Sequence, residues 1–364
     1  MEVVRQRVTE RAEEWFGAAG GPTTAVRVRQ VDSRPRALLL VVHLGEGSRV
    51  PRIMVKVRRE PSTASPTQAP RRPVLAGDVP SVSELSALEY EGLQSIHTIF
   101  GDADPSFGSV RPLDHLAEEN AILMEYVDAA TLRRRLLGQT RVSSLRPGRG
   151  KDAGDPWRRA GAWLRTFQQA TPHGARPARQ ATREEVLERF DAYDSYLSGR
   201  LQTGFGDLGR RGSELAAHVL PDHLTLAVAH GDFAPRNVFV GQDDRVTVFD
   251  PMPRWIVPAH EDLGRLLVSV RLLGLQVHSH GRAFSKATLE RVEREVIHGY
   301  ADERPAQVAE LRCYELLVLL DKWSALLDAV ERDRSRLRRA SLARATGYVR
   351  EQAEELLDLA AAGR

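Results

Sequence analysis

Residues 229–240 read Ala-His-Gly-Asp-Phe-Ala-Pro-Arg-Asn-Val-Phe-Val, and residues 248–251 read Val-Phe-Asp-Pro. This stretch predicts a tight loop and a short hairpin that carry Asp232, Asn237 and Asp250. The chain has only two asparagines, so Asn237 at five residues after Asp232 does not reflect an Asn-rich composition. Carboxylate and amide oxygens, with water and substrate phosphates, are the ligands that Mg²⁺ prefers. The three residues are therefore candidates for a magnesium site at a bound phosphate.

A purely structural interpretation of the same stretch is a buried His-Asp turn whose carboxylate caps backbone N–H groups. We apply that interpretation to Asp243 and Asp244, which lie in the turn of the predicted hairpin and serve that turn alone. For Asp232, Asn237 and Asp250 together the functional interpretation is preferred, because a motif gains weight when its strand and loop context fits.

The residues before this stretch divide into a sheet-forming part and a helical part. Strands are predicted at 25–29, 37–43 and 53–57, with residues 31–36 as the turn between the first two, and near 109–112 and 121–126. A short amphipathic helix is predicted within the first 20 residues, and a longer one over 84–100 with Ser81 or Ser83 as its cap. The stretch from 60 to 83, rich in Pro, Ser and Arg, is predicted to be a loop.

Beyond residue 128 the apolar spacing is helical. Helices are predicted at 130–138, 156–170, 183–203, 210–219, 260–278, 286–300, 306–331 and 335–361, with short strands at 238–240 and 246–249. The pattern therefore predicts an α+β protein. Residues 1–127 would form a small antiparallel-sheet lobe with one main helix, and residues 128–364 a larger, mainly helical lobe.

Composition excludes several classes of protein. Of the 364 residues, 42% are apolar and 28% are charged, which is typical of a folded globular chain and of neither a disordered nor a fibrous one. The sequence has no apolar run of about 18 residues and no hydrophobic signal core, so we expect neither a membrane span nor export. The single cysteine excludes an intrachain disulfide and a Cys-based zinc site, and cytoplasmic localisation is expected.

Positive charge is carried almost entirely by arginine. The net charge of +3 is too small to indicate nucleic-acid binding by itself. A basic run from Arg133 to Lys151 is either a solvated surface or a patch for an anionic partner. The run lacks the interleaved aromatic residues of a nucleic-acid surface, so an Arg-rich nucleic-acid-binding protein is the weakest alternative.

The pattern His-Gly-Asp-x-x-x-x-Asn at 230–237, followed within about a dozen residues by a strand that ends in an aspartate, resembles the aminoglycoside phosphotransferase-like branch of the protein-kinase-like fold. This resemblance implies a two-lobed protein-kinase-like fold that uses Mg²⁺ and ATP, with GTP as the alternative donor. It implies that Asp232 is the catalytic base and that Asn237 and Asp250 are Mg²⁺ ligands. It makes His230 a structural support of the loop, and Asp262, within a Pro-x-x-x-Asp-Leu segment, a brace for that loop.

The amino-terminal half contains concordant matches. Lys56, on the third predicted strand, would by itself be a solvated edge residue, but together with the His-Gly-Asp loop it is predicted to bind the α and β phosphates. Its partner is expected to be an acid of the following helix. We choose Glu89 over Glu84 and Glu91, because Glu89 begins a segment that resembles the family's Glu-x-x-x-Leu and can flank the inward stripe of the helix. Glu91 is the reserve candidate.

Residues 122–128 resemble the hinge of the family, where backbone groups of Glu125 to Val127 would hold an adenine edge. The alternative for this segment is an ordinary buried strand.

Two features of the sequence depart from protein kinases. The turn at 31–36 has no glycine, so other backbone amides, Ser33 or arginines would have to cover the phosphates. Pro251 follows Asp250, which argues against a mobile Asp-Phe-Gly switch.

The resemblance implies transfer of the γ-phosphoryl group of ATP to a hydroxyl of a small molecule such as a sugar, an antibiotic or another metabolite. A polycationic acceptor would require an acidic cleft, so the basic run favours a neutral or anionic acceptor. The predicted helix at 183–203 is a candidate wall of the acceptor site. The main alternative is a catalytically silent nucleotide-binding regulatory protein of the same fold, and retention of Lys56, Asp232, Asn237 and Asp250 argues against it.

Overall fold

The fold is described from a computed structural model. It covers residues 2–17, 26–34, 36–45, 51–60, 72–75, 80–101, 105–140, 155–201, 205, 207–302, 307–332 and 336–363. The chain divides into two compact units. The small unit comprises residues 1–67, 80–129 and 247–252, and the large unit comprises residues 68–79, 130–246 and 253–364. Both units are thus discontinuous in sequence, whereas the predicted lobes 1–127 and 128–364 were continuous. The roles predicted for the lobes, nucleotide binding for the first and acceptor binding for the second, stay predictions.

The small unit is a five-stranded sheet with two helices. Its elements are α1 (Glu2–Phe16), β1 (Arg27–Arg34), β2 (Ala37–His43), β3 (Arg52–Arg58), α2 (Val82–Phe100), β4 (Phe107–Ser109), β5 (Pro112–Leu116) and β6 (Ala121–Glu125). The sheet order is β1-β2-β3-β6-β5, and each pair of neighbours is antiparallel. The predicted antiparallel sheet with one main helix is therefore confirmed.

The two helices cover opposite faces of this sheet. On α1, Val4, Val8, Ala12 and Trp15 are buried against a cluster that includes Ile53 and Val55 of β3. Helix α2 instead packs through Leu93 against Ile122 and Met124 of β6. Because side chains alternate along a strand, Lys56 lies on the face opposite Val55, which is the face that α2 covers.

Helix α2 begins where its sequence indicates. Ser81 is the N-cap, and its hydroxyl accepts a hydrogen bond from the backbone N–H of Glu84, whose side chain in turn accepts from the backbone N–H of Ser81. This reciprocal capping box satisfies two backbone donors that the first helical turn would otherwise leave unpaired. Of the two predicted caps, Ser81 is therefore the correct one.

Two strand predictions were wrong in position. Strand β1 extends to Arg34, so Asp32 and Ser33 belong to the strand and not to a turn at 31–36. A register shift between Gln30 and Asp32 keeps β1 paired with β2, and the polar, exposed composition of β1 hides it from apolar periodicity. The strand predicted at 109–112 is in fact two, β4 and β5, on either side of Val110.

The large unit is mainly helical. Its helices are α3 (Leu132–Leu137), α4 (Asp155–Ala170), α5 (Arg183–Leu201), α6 (Leu208–Val219), α7 (His260–Arg271), α8 (Gly274–His278), α9 (Lys286–Ala301), α10 (Val308–Arg332) and α11 (Arg336–Ala361). Its strands are β7 (Ala130–Thr131), β8 (Leu226–Val228), β9 (Val238–Val240) and β11 (Ile256–Pro258), while β10 (Val246–Val248) returns the chain to the small unit. None of the described helices is long and apolar enough to cross a bilayer.

Most helices agree with their predicted ends, but the one predicted at 260–278 was wrong. It consists of α7 and α8, which are separated at Leu272 and Leu273, before Gly274. Gly274 disfavours a continuous helix. The apolar residues on both sides of it continue the helical spacing, so the sequence pattern does not show the break. Strands β7, β8 and β11 were missed, since two or three residues are too few to show alternation.

Strands β8 and β11 pair in an antiparallel ladder, with Val228 opposite Ile256. The N–H of Ala229 continues this ladder by donating to the carbonyl of Trp255. Strand β8 leads into the His-Gly-Asp loop, and β11 leads into α7. The ladder therefore holds the start of that loop beside the start of α7.

Helices α4 and α9 cross at two glycines. A Cβ atom on Gly299 would collide with the backbone carbonyl of Arg158, and one on Gly161 would collide with that of Val296. We expect Gly299→Ala to lower the free energy of unfolding by about 1–3 kcal/mol or more, because backbone cannot yield as a flexible side chain can. Gly199→Ala is the control, since the Cβ of that α5 residue would meet nothing within 4 Å. Urea unfolding measures the free energy of unfolding of both variants. An equal change in the two variants would contradict the close crossing of α4 and α9.

Candidate active site

Lys56 lies at the centre of a buried ionic cluster in the small unit. Its Nζ is 2.7 Å from Oε1 of Glu89 and 2.5 Å from Oδ1 of Asp250. The side chain of Glu89 is 0% exposed, whereas Glu84 and Glu91 are exposed on the same helix. The predicted pairing of Lys56 with Glu89 is thus present, and Glu91 is not the partner.

A second cation, Arg58, was missed by sequence reasoning. Its Nε donates to Oε2 of Glu89 at 2.8 Å, and its Nη2 is 3.5 Å from Oδ1 of Asp250. Sequence reasoning assigned Arg58 no role in the site. Its strand, β3, lies between β2 and β6 and is not an edge strand, so its side chains are covered. Residues 56 and 58 are two positions apart, so they share one face of the strand. This spacing is the sequence signal that could have identified Arg58 as a neighbour of Lys56.

The cluster balances two cations with two carboxylates in a site with little water. Burial by itself raises the pKa of Asp250, but the neighbouring Lys56 and Arg58 outweigh burial and hold that pKa below its usual range. Asp250 is therefore ionised at neutral pH. An ionised carboxylate is the form that binds a divalent cation.

The backbone at Asp250 is in the left-handed region, with a φ of +64°. A residue with a Cβ adopts this conformation only at a cost, so the surroundings must fix it. The preceding Phe249 packs against the apolar cluster formed by Leu93, Ile122 and Met124. This anchor on one side and the ion pair with Lys56 on the other hold the Asp250 carboxylate in place.

The His-Gly-Asp loop of the large unit encloses Asp232. The Nη2 of Arg236 is 2.6 and 2.7 Å from the two carboxylate oxygens. The buried Asn237 donates from Nδ2 to the backbone carbonyl and to Oδ2 of Asp232, both at 2.8 Å. A 3₁₀ turn over Pro235–Asn237 produces this closure, since its proline pre-sets the backbone of the turn. The five-residue spacing thus brings Asp232 and Asn237 together as the motif predicts.

Asp262 holds the same loop through its backbone. Its Oδ2 accepts from the N–H of His230 at 2.5 Å, and its Oδ1 accepts from the N–H of Gly231 at 3.0 Å. Gly231 has a φ of +82°, which favours glycine at this position. Burial raises the pKa of Asp262 to about 6, while its hydrogen bonds from the His230 and Gly231 N–H groups act in the opposite direction. These are the contacts that a bracing residue would make.

His230 is fully buried within an aromatic box. Its ring centroid lies 6.0, 6.2 and 5.6 Å from those of Trp163, Phe167 and Phe233, each at a steep angle. Edge-to-face contacts of this kind stabilise a ring in one orientation. The aromatic box thus encloses the ring of His230, whose role as a support of the loop stays a prediction.

Residues 103–311 match a family model that is described as "Phosphotransferase enzyme family". The matched range is more than half of the chain and includes the His-Gly-Asp loop. This chain belongs to that phosphotransferase family. No curated protein matches it significantly.

Solved structures match this family member over nearly its whole length. Choline kinase from Cryptosporidium parvum is 12% identical with a TM-score of 0.56, and the match covers 100% of this chain and 97% of that one. Spectinomycin phosphotransferase, solved with ADP and spectinomycin, is 13% identical with a TM-score of 0.53, over 96% and 98%. A choline/ethanolamine kinase family protein from Mesorhizobium loti is 17% identical with a TM-score of 0.52, over 98% of both chains. At these identities the likeness shows the kinase-like fold alone.

The predicted hinge of this phosphotransferase-family chain follows β6. The backbone N–H of Glu125 donates to the carbonyl of Arg111, and that of Tyr126 donates to the carbonyl of Arg52. Val127 is the residue of the three whose N–H makes no backbone hydrogen bond within the described part of the chain. An adenine edge would therefore find its donor at Val127, and the adenine role of Glu125 and Val127 stays a prediction.

The basic run is only partly described. Arg135 pairs with Asp244 at 2.7 Å, so Asp244 contacts a neighbouring helix in addition to forming the turn at Gln242–Asp244. Arg133 and Arg134 are exposed. The remaining members, from Arg141 to Lys151, lie outside the described residues. The run therefore gives no independent evidence about the acceptor.

Removal of Glu89 tests the small-unit cluster. Glu89→Ala leaves Lys56 and Arg58 with one carboxylate between them in a buried site, so we expect the free energy of unfolding to fall by about 3–5 kcal/mol. Glu91→Ala, at an exposed position on the same helix, should stay within about 0.5 kcal/mol of the parent chain. Chemical denaturation of both variants measures the difference, and similar losses would contradict the cluster.

Proposed function

We propose that this chain transfers the γ-phosphoryl group of ATP to a hydroxyl group of a small molecule in a Mg²⁺-dependent reaction. The observation that carries the proposal is the contact of Lys56 with both Glu89 and Asp250. A lysine that is nearly buried against two carboxylates is a preorganised point charge, and phosphoryl transfer depends on such charges to hold nucleotide phosphates. Membership of the phosphotransferase family supports the same reaction class.

The donor groups of this chain fit magnesium. The described residues contain no group of three or more His, Cys, Asp or Glu side chains that could hold a metal without other ligands. Mg²⁺ suits such a site, since it usually takes one or two protein oxygens together with water and substrate phosphates. We propose the ionised carboxylate of Asp250 as one ligand. We propose Asn237 as another, through its amide oxygen, because its nitrogen is committed to Asp232. Bound to phosphate oxygens, the metal would neutralise charge that develops during transfer.

The protein residues have separate roles in this reaction. Lys56 would exchange Asp250 for the α and β phosphates of the nucleotide, while Glu89 keeps the ammonium in place. The acceptor oxygen forms a bond to the γ-phosphorus as the bond to the ADP oxygen breaks. Asp232 would accept the hydroxyl proton on a carboxylate oxygen. Asn237 and Arg236 orient that carboxylate through the hydrogen bonds described above.

The decisive experiment is a search for product. The purified chain is incubated with Mg²⁺ and either ATP or GTP across a panel of hydroxylated metabolites and antibiotics, and nucleotide consumption is followed. Mass spectrometry then identifies any acceptor that has gained one phosphoryl group. Mg·ATP binding without transfer to any acceptor would favour the catalytically silent alternative.

Asp232→Asn tests the assignment of the base. The amide cannot take the hydroxyl proton, so we expect transfer to fall at least about 100-fold. Mg·ATP should still raise the melting temperature as it does in the parent chain, because Asp232 is not proposed to hold the phosphates. Near-normal turnover in this variant would remove Asp232 from the mechanism.

Asp250→Asn tests the metal ligand. Asparagine keeps the size of the side chain and tolerates the left-handed backbone at this position, so the substitution changes mainly the charge. We expect the increase in melting temperature caused by Mg·ATP to be lost. Asp243→Asn is the matched control, because Asp243 is an exposed aspartate with a similar φ of +53°. An unchanged Mg·ATP response in Asp250→Asn would place the metal elsewhere.

A further inference from the structure

The large unit contains a cavity of about 650 Å³, at the place where α4 and α9 end and α7 and α10 begin. The described part of its wall also includes Leu226 and Ala227 of β8. Asp232, Arg236 and Asn237 are absent from that part of the wall, so the cavity is distinct from these residues of the His-Gly-Asp loop. Its volume lies within the roughly 300–1,000 Å³ that small-molecule sites occupy.

Hydrogen bonds between three elements fix one side of this cavity. The Nε2 of Gln168, on α4, donates to the carbonyl of Ala259 at 2.9 Å. The hydroxyl of Tyr300, on α9, is 2.8 Å from Oε1 of Gln168 and 3.2 Å from the same carbonyl. The N–H of Ala259 donates to the carbonyl of Thr225 at 2.9 Å. The cavity is therefore formed before any ligand binds, as is usual for small-molecule sites.

His260 lines the cavity without a hydrogen bond from its ring. Its side chain is 15% exposed, and neither ring nitrogen has a hydrogen-bond partner among the residues that the structure describes. Oε2 of Glu310 lies 3.8 Å from Nδ1, which is too long for a hydrogen bond. Burial lowers the pKa of His260 to about 4, so the ring is neutral at pH 7 and offers one donor and one acceptor. Both groups are available to a ligand.

The described wall carries no net charge. Its two charged side chains, Arg165 and Asp302, form an ion pair, with 3.3 Å between Nη1 and Oδ2. A charged ligand would lose its hydration here without meeting an unpaired opposite charge. Besides His260, the wall has hydrogen-bonding side chains such as Gln169, Thr225 and Gln307, and apolar ones such as Leu226, Leu263 and Ile297. It therefore suits a neutral ligand that has both an apolar part and hydroxyl groups.

We propose that this cavity is a second small-molecule site, which binds a neutral molecule that joins an apolar ring to several hydroxyl groups, the chemistry of an aryl glycoside. The apolar side chains would cover the ring, and burial of a ring of this size is strongly favourable. The unpartnered imidazole of His260 would exchange hydrogen bonds with a hydroxyl group. The site goes beyond the proposed phosphoryl transfer and does not rest on it.

The test uses three matched probes. Phenyl β-glucoside has the ring and the hydroxyl groups, phenyl β-glucuronide replaces one hydroxymethyl group by a carboxylate, and methyl β-glucoside lacks the ring. Binding to the full chain is measured by titration calorimetry without nucleotide and again with saturating Mg·ATP. We expect phenyl β-glucoside to bind at least about tenfold more tightly than the other two, because only it is both neutral and able to bury a ring. Mg·ATP should leave its affinity unchanged.

Variants assign the binding to the cavity. Ala301→Trp places a large side chain in the wall at the end of α9, so we expect it to abolish binding of phenyl β-glucoside. Ala217→Trp is the matched control, because Ala217 is an exposed alanine of α6 outside the described wall. His260→Phe keeps a ring of similar size but removes both nitrogens, and we expect it to weaken binding about threefold or more through the lost hydrogen bond.

Each outcome supports or overturns the site. Equal binding of the three probes, or no binding of phenyl β-glucoside, would overturn it. Binding that survives Ala301→Trp, or that is also lost in Ala217→Trp, would overturn it as well, and so would competition by Mg·ATP. If circular dichroism shows that Ala301→Trp does not fold, His260→Phe decides, and unchanged affinity in that variant would overturn the site. No measurement uses phosphoryl transfer, so failure of the kinase proposal would leave the site intact.

Discussion

The complete burial of the Glu89 carboxylate is the constraint on which the small unit depends. A carboxylate without access to water is tolerated only when cations and hydrogen bonds compensate its charge. Lys56 and Arg58 supply that compensation from alternate positions of β3, so the register of this strand relative to α2 is fixed by charge as well as by packing. Asp250 balances the second cation. The same requirement therefore ties residues 247–252 to the small unit, far from their neighbours in sequence.

The large unit compensates the carboxylate of its His-Gly-Asp loop within the loop itself. Both oxygens of Asp232 contact Nη2 of Arg236, and Oδ2 also accepts from Nδ2 of Asn237. In the small unit, Lys56 and Arg58 instead contact Glu89 and Asp250 from a separate strand.

Local spacing explains which contacts of the candidate site could be expected from the sequence. Asp232 and Asn237 are five residues apart, and the turn between them can close in few ways once Pro235 fixes its backbone. Strand alternation likewise placed Lys56 opposite Val55. Glu89 was chosen because its segment resembles the family's Glu-x-x-x-Leu and because it can flank the inward stripe of the helix. The errors in the fold, at β1 and at the break between α7 and α8, occurred where composition concealed the element: β1 is polar, and the α7–α8 boundary is apolar on both sides.

The sequence by itself determined the reaction class and the residues proposed for it, because the motif that carries them is short and its geometry is local. Only the tertiary structure decided the surroundings of those residues. Arg58 became a buried partner of Glu89 because β3 lies between two other strands. Asp321 of α10 accepts from the Tyr193 hydroxyl and from Nη1 of Arg72, which lie 128 and 249 positions earlier in the chain. The charge around a site sums over residues distant in sequence, so it becomes visible only when the chain is folded.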